Sequence, residues 1–324
     1  MVMDMGRCGT HLKVRVLWAA ALLLGVLATA PAAGAAEVAQ DPADVRQYWT
    51  DERMREALPG SDLLADVELP LLPEVDEILP GDFQPQPSPR AAAEAVPDPA
   101  RAPLRTHGKV YFTLSGVRYV CSGTVVRAET KSLVVSAGHC VYGFGQFATN
   151  WLFVPAKNGS SEPYGRWAAV ELDTTNQWQA SEDIRYDVGM ATLERRNHRP
   201  IQRRVGGRKI AFNKGRDLTF KAFGYPAEGR FNGQYLYRCK SPAQGTDSGP
   251  QPRPTRIDCD MTGGSSGGGW VISKGRVNSV VSYGYECGLL DLLCQIVGGN
   301  PEEGKLFGPY FGDTIRRLYR QTQR

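Results

Sequence analysis

The chain has 324 residues, of which 42% are hydrophobic and 22% are charged, with 36 glycines, 22 prolines and a formal net charge of +4. This composition is that of a globular protein and excludes a wholly disordered chain, a collagen-like chain and a coiled coil. The one long apolar run is N-terminal, which excludes a multi-spanning membrane protein. Four histidines, with no His-x-x-x-His or Cys-x-x-Cys pair, argue against a dedicated zinc site.

Residues 1–36 have the layout of a secretory signal peptide. Basic residues precede an apolar run over 16–30, and small residues follow up to Ala36. The run has about 15 residues, fewer than the roughly 20 that a spanning helix needs, which favours cleavage near Ala36 over a retained anchor. We therefore expect the remainder to be secreted into an oxidising, extracellular environment.

Residues 37–105, here named the leader, differ in charge from the rest of the chain. The leader contains 15 acidic and 6 basic residues, whereas residues 106–324 contain 18 acidic and 29 basic residues. Opposite charges predict mutual attraction, as in a pro-segment that covers the domain behind it. The stretch 84–103 is rich in proline and alanine and is typical of an extended linker, and 51–64 has room for a short helix. The alternative is an acidic spacer without an inhibitory role.

The cysteine content agrees with export. Cys8 lies in the predicted signal peptide, and the even number that remains is typical of disulfides in a secreted chain. Six cysteines allow 15 connectivities. Pairing of sequence neighbours gives Cys121–Cys140, Cys239–Cys259 and Cys287–Cys294.

From residue 109 onward the pattern is that of short strands. Segments rich in Val, Ile, Thr, Tyr and Phe alternate with turn residues. The predicted strands are 110–114, 119–126, 133–136, 151–154, 167–172, 188–193, 218–223, 234–237, 269–272 and 277–282. A helix is predicted at 314–323, with Asp313 as its cap. Many short strands followed by one helix predict an all-β barrel or sandwich.

Three segments carry residues suited to catalysis. His139 follows a predicted strand, Asp187 stands at the head of another, and Ser265 and Ser266 lie among the glycines of 262–269. Taken singly, these are a surface histidine, a turn aspartate and a flexible linker. The linker interpretation is weak because an apolar strand comes directly after it.

Together the segments fit nucleophilic acyl transfer. A serine hydroxyl needs a neighbouring base, a histidine accepts and returns a proton near neutral pH, and a buried carboxylate fixes the tautomer of the imidazole. Glycines let backbone N–H groups turn towards a developing oxyanion. All four histidines precede the serine motif, which excludes the α/β-hydrolase order. The order His139, Asp187, Ser266 is that of the chymotrypsin type.

Four blocks resemble the trypsin/chymotrypsin-like serine peptidases, most closely the secreted bacterial branch that includes glutamyl endopeptidases. The blocks are Cys121-Ser122-Gly123-Thr124-Val125-Val126, Ser136-Ala137-Gly138-His139-Cys140, Asp187-Val188-Gly189 and Gly264-Ser265-Ser266-Gly267-Gly268. The resemblance covers about residues 108–320. It implies two antiparallel six-stranded β-barrels with the site in the cleft between them, and a Cys121–Cys140 disulfide beside the catalytic histidine.

The resemblance also implies roles for single residues. His139 matches the general base, Asp187 the residue that orients it, and Ser266 the nucleophile. The backbone N–H groups of Gly264 and Ser266 match the oxyanion hole. The family motif has Gly two residues before the serine and Gly-Gly after it, and only Ser266, not Ser265, satisfies this frame.

The specificity pocket is less well defined. The segment Val281-Ser282-Tyr283-Gly284 resembles the strand that pairs with the substrate backbone and walls the pocket. Asp260, six residues before Ser266, matches the trypsin residue that selects Arg or Lys, although glutamyl endopeptidase-like sequences also carry an aspartate there without that preference. Val281 replaces the histidine usual in Glu-specific members. Neither preference is favoured.

Activation also departs from the pattern of most animal members. Ser265 replaces the aspartate that pairs with the new N-terminal amine in those enzymes. Maturation is therefore expected to act by unblocking or through another contact, with Arg101 or Arg105 as cleavage points.

A basic run lies just beyond the predicted strand at 188–193. It consists of Arg195, Arg196, Arg199, Arg203, Arg204, Arg208 and Lys209. Such a run suits nucleic acid or an anionic cell surface. In an exported chain without a nucleic-acid motif, a solvated loop or a docking face for the acidic leader is favoured.

The sequence thus predicts a secreted serine endopeptidase with signal peptide 1–36, pro-segment 37–105 and peptidase domain 106–324. The expected partners are a protein or peptide substrate and the chain's own pro-segment as an inhibitor. We expect a monomer, and no metal, cofactor or nucleic acid. The alternative is a catalytically silent binding module on the cell surface.

Overall fold

The computed structural model describes residues 36–38, 40–64, 91–285 and 304–324. The predicted signal peptide and the Cys287–Cys294 pair lie outside these residues. Within them, no helix has the length and apolar character needed to cross a membrane.

Seventeen strands and five helices are described. The strands are β1 (Ala36–Glu37), β2 (Leu58–Pro59), β3 (Glu94–Ala95), β4 (His107–Leu114), β5 (Val117–Val125), β6 (Leu133–Ser136), β7 (Tyr142–Gly143), β8 (Gln146–Phe147), β9 (Thr149–Pro155), β10 (Trp167–Thr174), β11 (Gly189–Leu193), β12 (Thr219–Gly224), β13 (Tyr237–Thr246), β14 (Thr255–Asp258), β15 (Gly269–Ile272), β16 (Arg276–Val280) and β17 (Lys305–Gly308). The helices are α1 (Pro42–Tyr48), α2 (Asp51–Glu56), α3 (Asn176–Ser181), α4 (Ile201–Val205) and α5 (Asp313–Thr322).

The first sheet closes into a six-stranded antiparallel barrel. Its order is β9, β4, β5, β6, β11 and β10, and a pairing between β10 and β9 completes the ring. Alternate residues of β4 point to opposite faces. Val110, Phe112 and Leu114 belong to the barrel core, whereas Tyr111 belongs to a second cluster outside it. Every residue of β4 is buried because both faces are covered.

The second sheet is curled and has six main strands in the order β16, β15, β12, β13, β14 and β17. Trp270 and Phe220 pack edge to face at its centre, with ring centroids 5.3 Å apart. The Cys239–Cys259 disulfide lies in the same core. The two sheets confirm the all-β, chymotrypsin-like fold expected from the sequence.

A third apolar cluster joins the two sheets. It contains Val135 and Val188 from the first sheet and Val280 from the second. Helix α5 contributes Ile315 and Leu318 to this cluster. The two sheets are therefore held together by a shared core.

Several predicted elements begin or end at other residues in the structure. The strand predicted at 234–237 begins at Tyr237 and runs to Thr246, because its backbone pairs with both β12 and β14 although its outer half lacks an apolar pattern. Strands β14 and β17 were not predicted. Helix α5 is present, but Asp313 is its first residue and Gly312 occupies the cap position.

Residues 36–64 of the chain fold onto the first barrel. Asp41 and Thr50 cap α1 and α2 by accepting backbone N–H bonds. Trp49 is 1% exposed, its Nε1 donates to the Asn150 carbonyl at 2.6 Å, and its ring lies 5.3 Å from that of Tyr111. This cluster covers the outer face of β4 and anchors the leader.

Charge pairs join the leader to the body. Asp51 pairs with Arg166 at 3.1 Å, Glu56 with Arg118 at 2.8 Å and Glu94 with Arg238 at 3.2 Å. These pairs are scattered over the surface and largely exposed, so each contributes little on its own.

Residues 91–105 are integrated into the body rather than extended away from it. Strand β3 pairs with β13, and the Val96 N–H donates to the Leu236 carbonyl at 2.8 Å. Ala93 and Val96 are both 5% exposed. The Pro/Ala-rich stretch expected to be an extended linker is therefore docked on the second sheet over these residues.

Candidate active site

Asp187 and His139 are in direct contact at the floor of the cleft. His139 Nδ1 lies 2.9 Å from Asp187 Oδ2, and the His139 backbone N–H donates to Oδ1 at 2.8 Å. The Ser282 hydroxyl donates to Oδ2 at 2.5 Å. The buried carboxylate thus holds the ring with a proton on Nδ1, which leaves Nε2 as the basic nitrogen.

The turn that carries His139 needs a glycine and is tied to β5. A Cβ on Gly138 would lie 2.8 Å from the Trp178 ring and 2.9 Å from Asp187 Oδ1. Cys140, the next residue after the histidine, is bonded to Cys121 with an S–S distance of 2.05 Å. The imidazole is therefore positioned by both a close approach and a covalent link.

The serine loop is clamped onto β5. The Ser122 N–H donates to the Ser266 carbonyl at 2.7 Å, and the Ser122 hydroxyl donates to the Gly264 carbonyl at 2.9 Å. Gly264 has a φ of +88°, a value that favours glycine. The Ser265 hydroxyl turns away and donates to the Thr262 carbonyl at 2.7 Å.

The backbone N–H groups of Gly264 and Ser266 remain available. Within the described part of the chain, neither donates to a protein acceptor. The N–H groups of Ser265 and Gly267, in contrast, are bonded to the carbonyls of Thr262 and Val281. The loop thus leaves free the two donors that the sequence assigns to an oxyanion hole.

His139 and Ser266 are almost completely enclosed. They are 1% and 3% exposed, respectively. His139 Nε2 is buried and has no hydrogen-bond partner among the described residues. The structure therefore brings the predicted base and nucleophile to the same buried region without a hydrogen bond between them.

The predicted pocket strand borders the serine loop. Val281 exchanges backbone bonds with Gly267 and Gly268, at 2.7 and 2.8 Å, and Ser282 donates its N–H to Phe307 at 3.0 Å. Gly284 comes next along this segment, where a Cβ would lie 3.0 Å from the Lys305 carbonyl. Strand β16 ends at Val280, so residues 281–284 lie beyond the strand and run alongside the serine loop.

Asp247 is a residue of this region that the sequence did not single out. It is 7% exposed and accepts hydrogen bonds from the hydroxyls of Tyr283 and Tyr285. Tyr283 also stacks on Phe307 at 4.9 Å. Burial and the adjacent Asp247 raise the pKa of Tyr283. No local motif marks Asp247, since its partners are 36 and 38 residues away.

Asp260 is engaged with the segment that precedes the first barrel. Its Oδ1 accepts the Ala93 N–H at 2.6 Å, and its Oδ2 pairs with Arg230 at 2.8 Å. Its charge is therefore already matched by a guanidinium.

The residues of the basic run lie in two different environments. Arg208 is buried and donates to His107 Nε2 and to Thr106 Oγ1 at about 3 Å. Arg195, Arg199 and Arg203 are exposed on the rim of a groove of about 1070 Å³. Three acidic residues of the leader, Asp51, Glu56 and Glu94, pair with Arg166, Arg118 and Arg238 and not with this run.

One cluster of three residues with metal-binding side chains occurs in the described part of the chain. It consists of Cys121, His139 and Cys140. Both sulfurs are joined in a disulfide, so the imidazole alone is left as a ligand.

Solved structures and a family model match this architecture. The family model described as Trypsin matches residues 98–292. Protease Anisep from Arthrobacter nicotinovorans is 40% identical, with a TM-score of 0.61, and the match covers 68% of this chain and 95% of that chain. The thermostable serine protease AL20 is 36% identical, with a TM-score of 0.60, and the match covers 68% and 97%.

Curated proteins match over shorter segments. The glutamyl endopeptidase of Bacillus licheniformis is 30% identical over 112 residues, which is 33% of each chain. The extracellular metalloprotease of Bacillus subtilis is 38% identical over 76 residues, 23% of each chain. The chain thus spans a third or less of the length of these curated relatives.

Two packed β-sheets with a cleft between them, linked by a shared core, define a chymotrypsin-like serine peptidase fold. With the family match over 98–292 and the relatives at 40% and 36% identity, the chain belongs to the trypsin family.

Proposed function

We propose that the protein is a serine endopeptidase that hydrolyses peptide bonds through an acyl-enzyme, with Ser266, His139 and Asp187 as its triad. One observation carries the proposal: a buried carboxylate lies 2.9 Å from the Nδ1 of a buried histidine next to a glycine-clamped serine loop. Structural stability does not require such a pair, since burying ionisable groups is costly.

The proposed reaction uses the three triad side chains and two backbone N–H groups. His139 Nε2 takes the hydroxyl proton as Ser266 Oγ attacks the scissile carbonyl, and the oxyanion is stabilised by the N–H groups of Gly264 and Ser266. The imidazolium, stabilised by Asp187, then gives its proton to the leaving amine, and the C–N bond breaks. Water then attacks the acyl ester as His139 takes its proton, and His139 returns that proton to Ser266 Oγ as the ester C–O bond breaks and the carboxylic acid product leaves.

The test is labelling with a fluorophosphonate probe, followed by intact-mass measurement and peptide mapping. We expect one probe group on Ser266 in the processed protein. Ser266→Ala should abolish labelling and reduce hydrolysis by several orders of magnitude, because triad residues act as a unit. Ser265→Ala is the matched control and should keep labelling, since Ser265 bonds to Thr262 instead.

We also propose that the protein is exported as a precursor, as a monomer, and that the leader keeps it inactive until cleavage. The two described disulfides support an oxidising destination. The docking of residues 91–105 on the second sheet favours a mature chain that retains them. Cleavage at Arg101 or Arg105 would cut through this docked segment.

A binding module remains the second candidate, favoured by the groove rimmed with exposed arginines. A processed, folded protein that takes up no fluorophosphonate would support that function instead.

A further inference from the structure

Leader residues 58–64 enter the cleft from the side of β5. Leu58 and Pro59 pair in parallel with Tyr119 and Val120. Cys121, the next residue of β5, is disulfide-bonded beside His139. The backbone is thus delivered to one end of the candidate active site.

Gly60 makes the closest approach to the site. A Cβ at this position would lie 2.5 Å from Cys121 Sγ, 3.1 Å from the Val120 carbonyl and 3.8 Å from His139 Cδ2. Only a residue without a side chain fits here without displacing its neighbours. This close approach indicates that the backbone at residue 60 packs directly against the disulfide next to His139.

The next residues cross towards the pocket strand. Ser61 lies against Gly263, the residue before the proposed oxyanion-hole glycine. Leu63 and Leu64 are both 7% exposed. Leu64 packs in one cluster with Trp178, Ile184, Tyr283 and Phe307. The chain therefore passes from β5, beside His139 and Gly263, to Tyr283 in the segment 281–284.

The direction of this crossing is opposite to that expected of a substrate. In the proposed peptidase the segment 281–284 walls the pocket for the residue before the scissile bond, so the acyl side of a substrate lies there and the leaving-group side lies towards β5. A substrate thus runs from 281–284 to β5, whereas the leader runs from β5 to Tyr283. Residues 60–64 also form a 3-10 turn rather than an extended strand.

We propose that residues 58–64 are a reverse-polarity plug: they close the active-site cleft, and their direction and turn conformation keep their own peptide bonds from being cut. This inference rests on the proposed peptidase function. Helices α1 and α2, held by Trp49, anchor the leader to the first barrel, and residues 58–64 block the active site. The leader therefore has separable binding and blocking parts.

The first test uses the full precursor and the fluorophosphonate probe, read by intact mass. Wild-type precursor is expected to stay unlabelled while residues 37–105 remain attached. Gly60→Val, which cannot fit beside Cys121, and Leu64→Asp, which places a charge in the apolar cluster, should label with the leader still attached. Their labelling rates should rise by roughly tenfold or more, because the accessible fraction sets the apparent rate. Glu52→Ala, exposed on α2, is the matched control and should behave as wild type.

The second test addresses polarity. A synthetic peptide of residues 36–64 is mixed with the processed enzyme and a reporter substrate. We expect inhibition, with the peptide recovered uncut, and weaker inhibition by the Trp49→Ala peptide. Cleavage within residues 60–64 at a rate comparable to that of the reporter would overturn the reversed direction.

The outcomes separate this proposal from the proposed function. If wild-type precursor labels as fast as the processed enzyme, the plug is wrong while the peptidase stands. If the processed enzyme itself neither labels nor hydrolyses the reporter, the peptidase function fails.

Discussion

The hydroxyl of Ser282 donates a hydrogen bond of 2.5 Å to Oδ2 of Asp187, the same oxygen that lies 2.9 Å from His139 Nδ1. This bond joins the segment 281–284, which we propose as the wall of the specificity pocket, to the proposed orienting carboxylate. The position of the imidazole is therefore linked to that segment.

Ser282→Ala is expected to lower kcat by about 10- to 100-fold, because a hydrogen bond to a charged group contributes about 1.5–3 kcal/mol. KM should change much less. Steady-state kinetics on a peptide substrate provide the measurement. Ser241→Ala removes a buried hydroxyl that bonds to Pro242 in the second sheet and serves as the control. An unchanged kcat would show that Asp187 does not need this donor.

Asp247→Leu is expected to raise KM more than it lowers kcat. The change removes the acceptor of the buried Tyr283 hydroxyl, at a cost of about 1–3 kcal/mol, and one hydrogen bond of the half-buried Tyr285. Thermal unfolding should show the loss of stability, and peptide kinetics the effect on KM. Tyr285→Phe removes one of the two bonds and should have a smaller effect. Equal effects from the two variants would contradict a shared acceptor.

Asp260→Asn is expected to leave the cleavage preference unchanged. Its carboxylate is already paired with Arg230 and the Ala93 N–H, so it is not free to select a basic substrate residue. The stability change should be about 1 kcal/mol or less, since Arg230 is half exposed. Profiling of a peptide library before and after the substitution tests this. A strong Arg/Lys preference that disappears in the variant would be incompatible with the pairing.

Lys109 should make stability rise with pH. Burial, together with the nearby Lys157, lowers the pKa of Lys109 to about 7, and its Nζ donates to the Gly233 carbonyl at 2.7 Å. The unfolded chain, with an ordinary lysine pKa, binds one more proton between pH 7 and about 10. Unfolding free energy should therefore increase over that interval by up to about 1.4 kcal/mol per pH unit.

Denaturant unfolding of Lys109→Met at several pH values checks this expectation. The increase between pH 7 and 10 should flatten in this variant. Lys221→Met, at an exposed position of β12, should retain the wild-type slope. A variant slope equal to that of wild type would assign the pH dependence to other groups.

The processed protein is expected to begin after Leu64 and no later than Ala91. Removing residues 58–64 opens the cleft, whereas residues 91–105 are part of the second sheet through β3 and the Val96–Leu236 bond. N-terminal sequencing of the secreted protein measures this directly. A start at residue 102 or 106 would mean that the docked segment is dispensable.

The sequence predicted the fold class and the blocks around His139, Asp187 and Ser266, because each block combines strand residues with small residues at fixed offsets. For the leader it predicted a short helix within 51–64, which α2 at Asp51–Glu56 confirms, but not how the leader packs on the barrel. Gly60 meets Cys121, and Trp49 meets Asn150 and Tyr111, over separations of 60 residues or more. Such contacts leave no periodic pattern in the chain.

Strands β14 and β17 were missed for a related reason. Ile257 and Leu306 are buried partners in the same ladder, but each lies in a segment of only four paired residues, and Ile257 is flanked by Arg256 and Asp258. Pairing between them is determined by the sheet rather than by either segment alone.

Helix α5 packs Ile315 and Leu318 against Val135 and Val188 of the first barrel, and Thr322 contacts Met190. The first barrel therefore completes its outer surface only with residues some 120 positions further along the chain than β11. A nascent chain that has already produced Ser266 still lacks Ile315 and Leu318, so the apolar cluster shared by the two sheets is complete only after translation has passed residue 318.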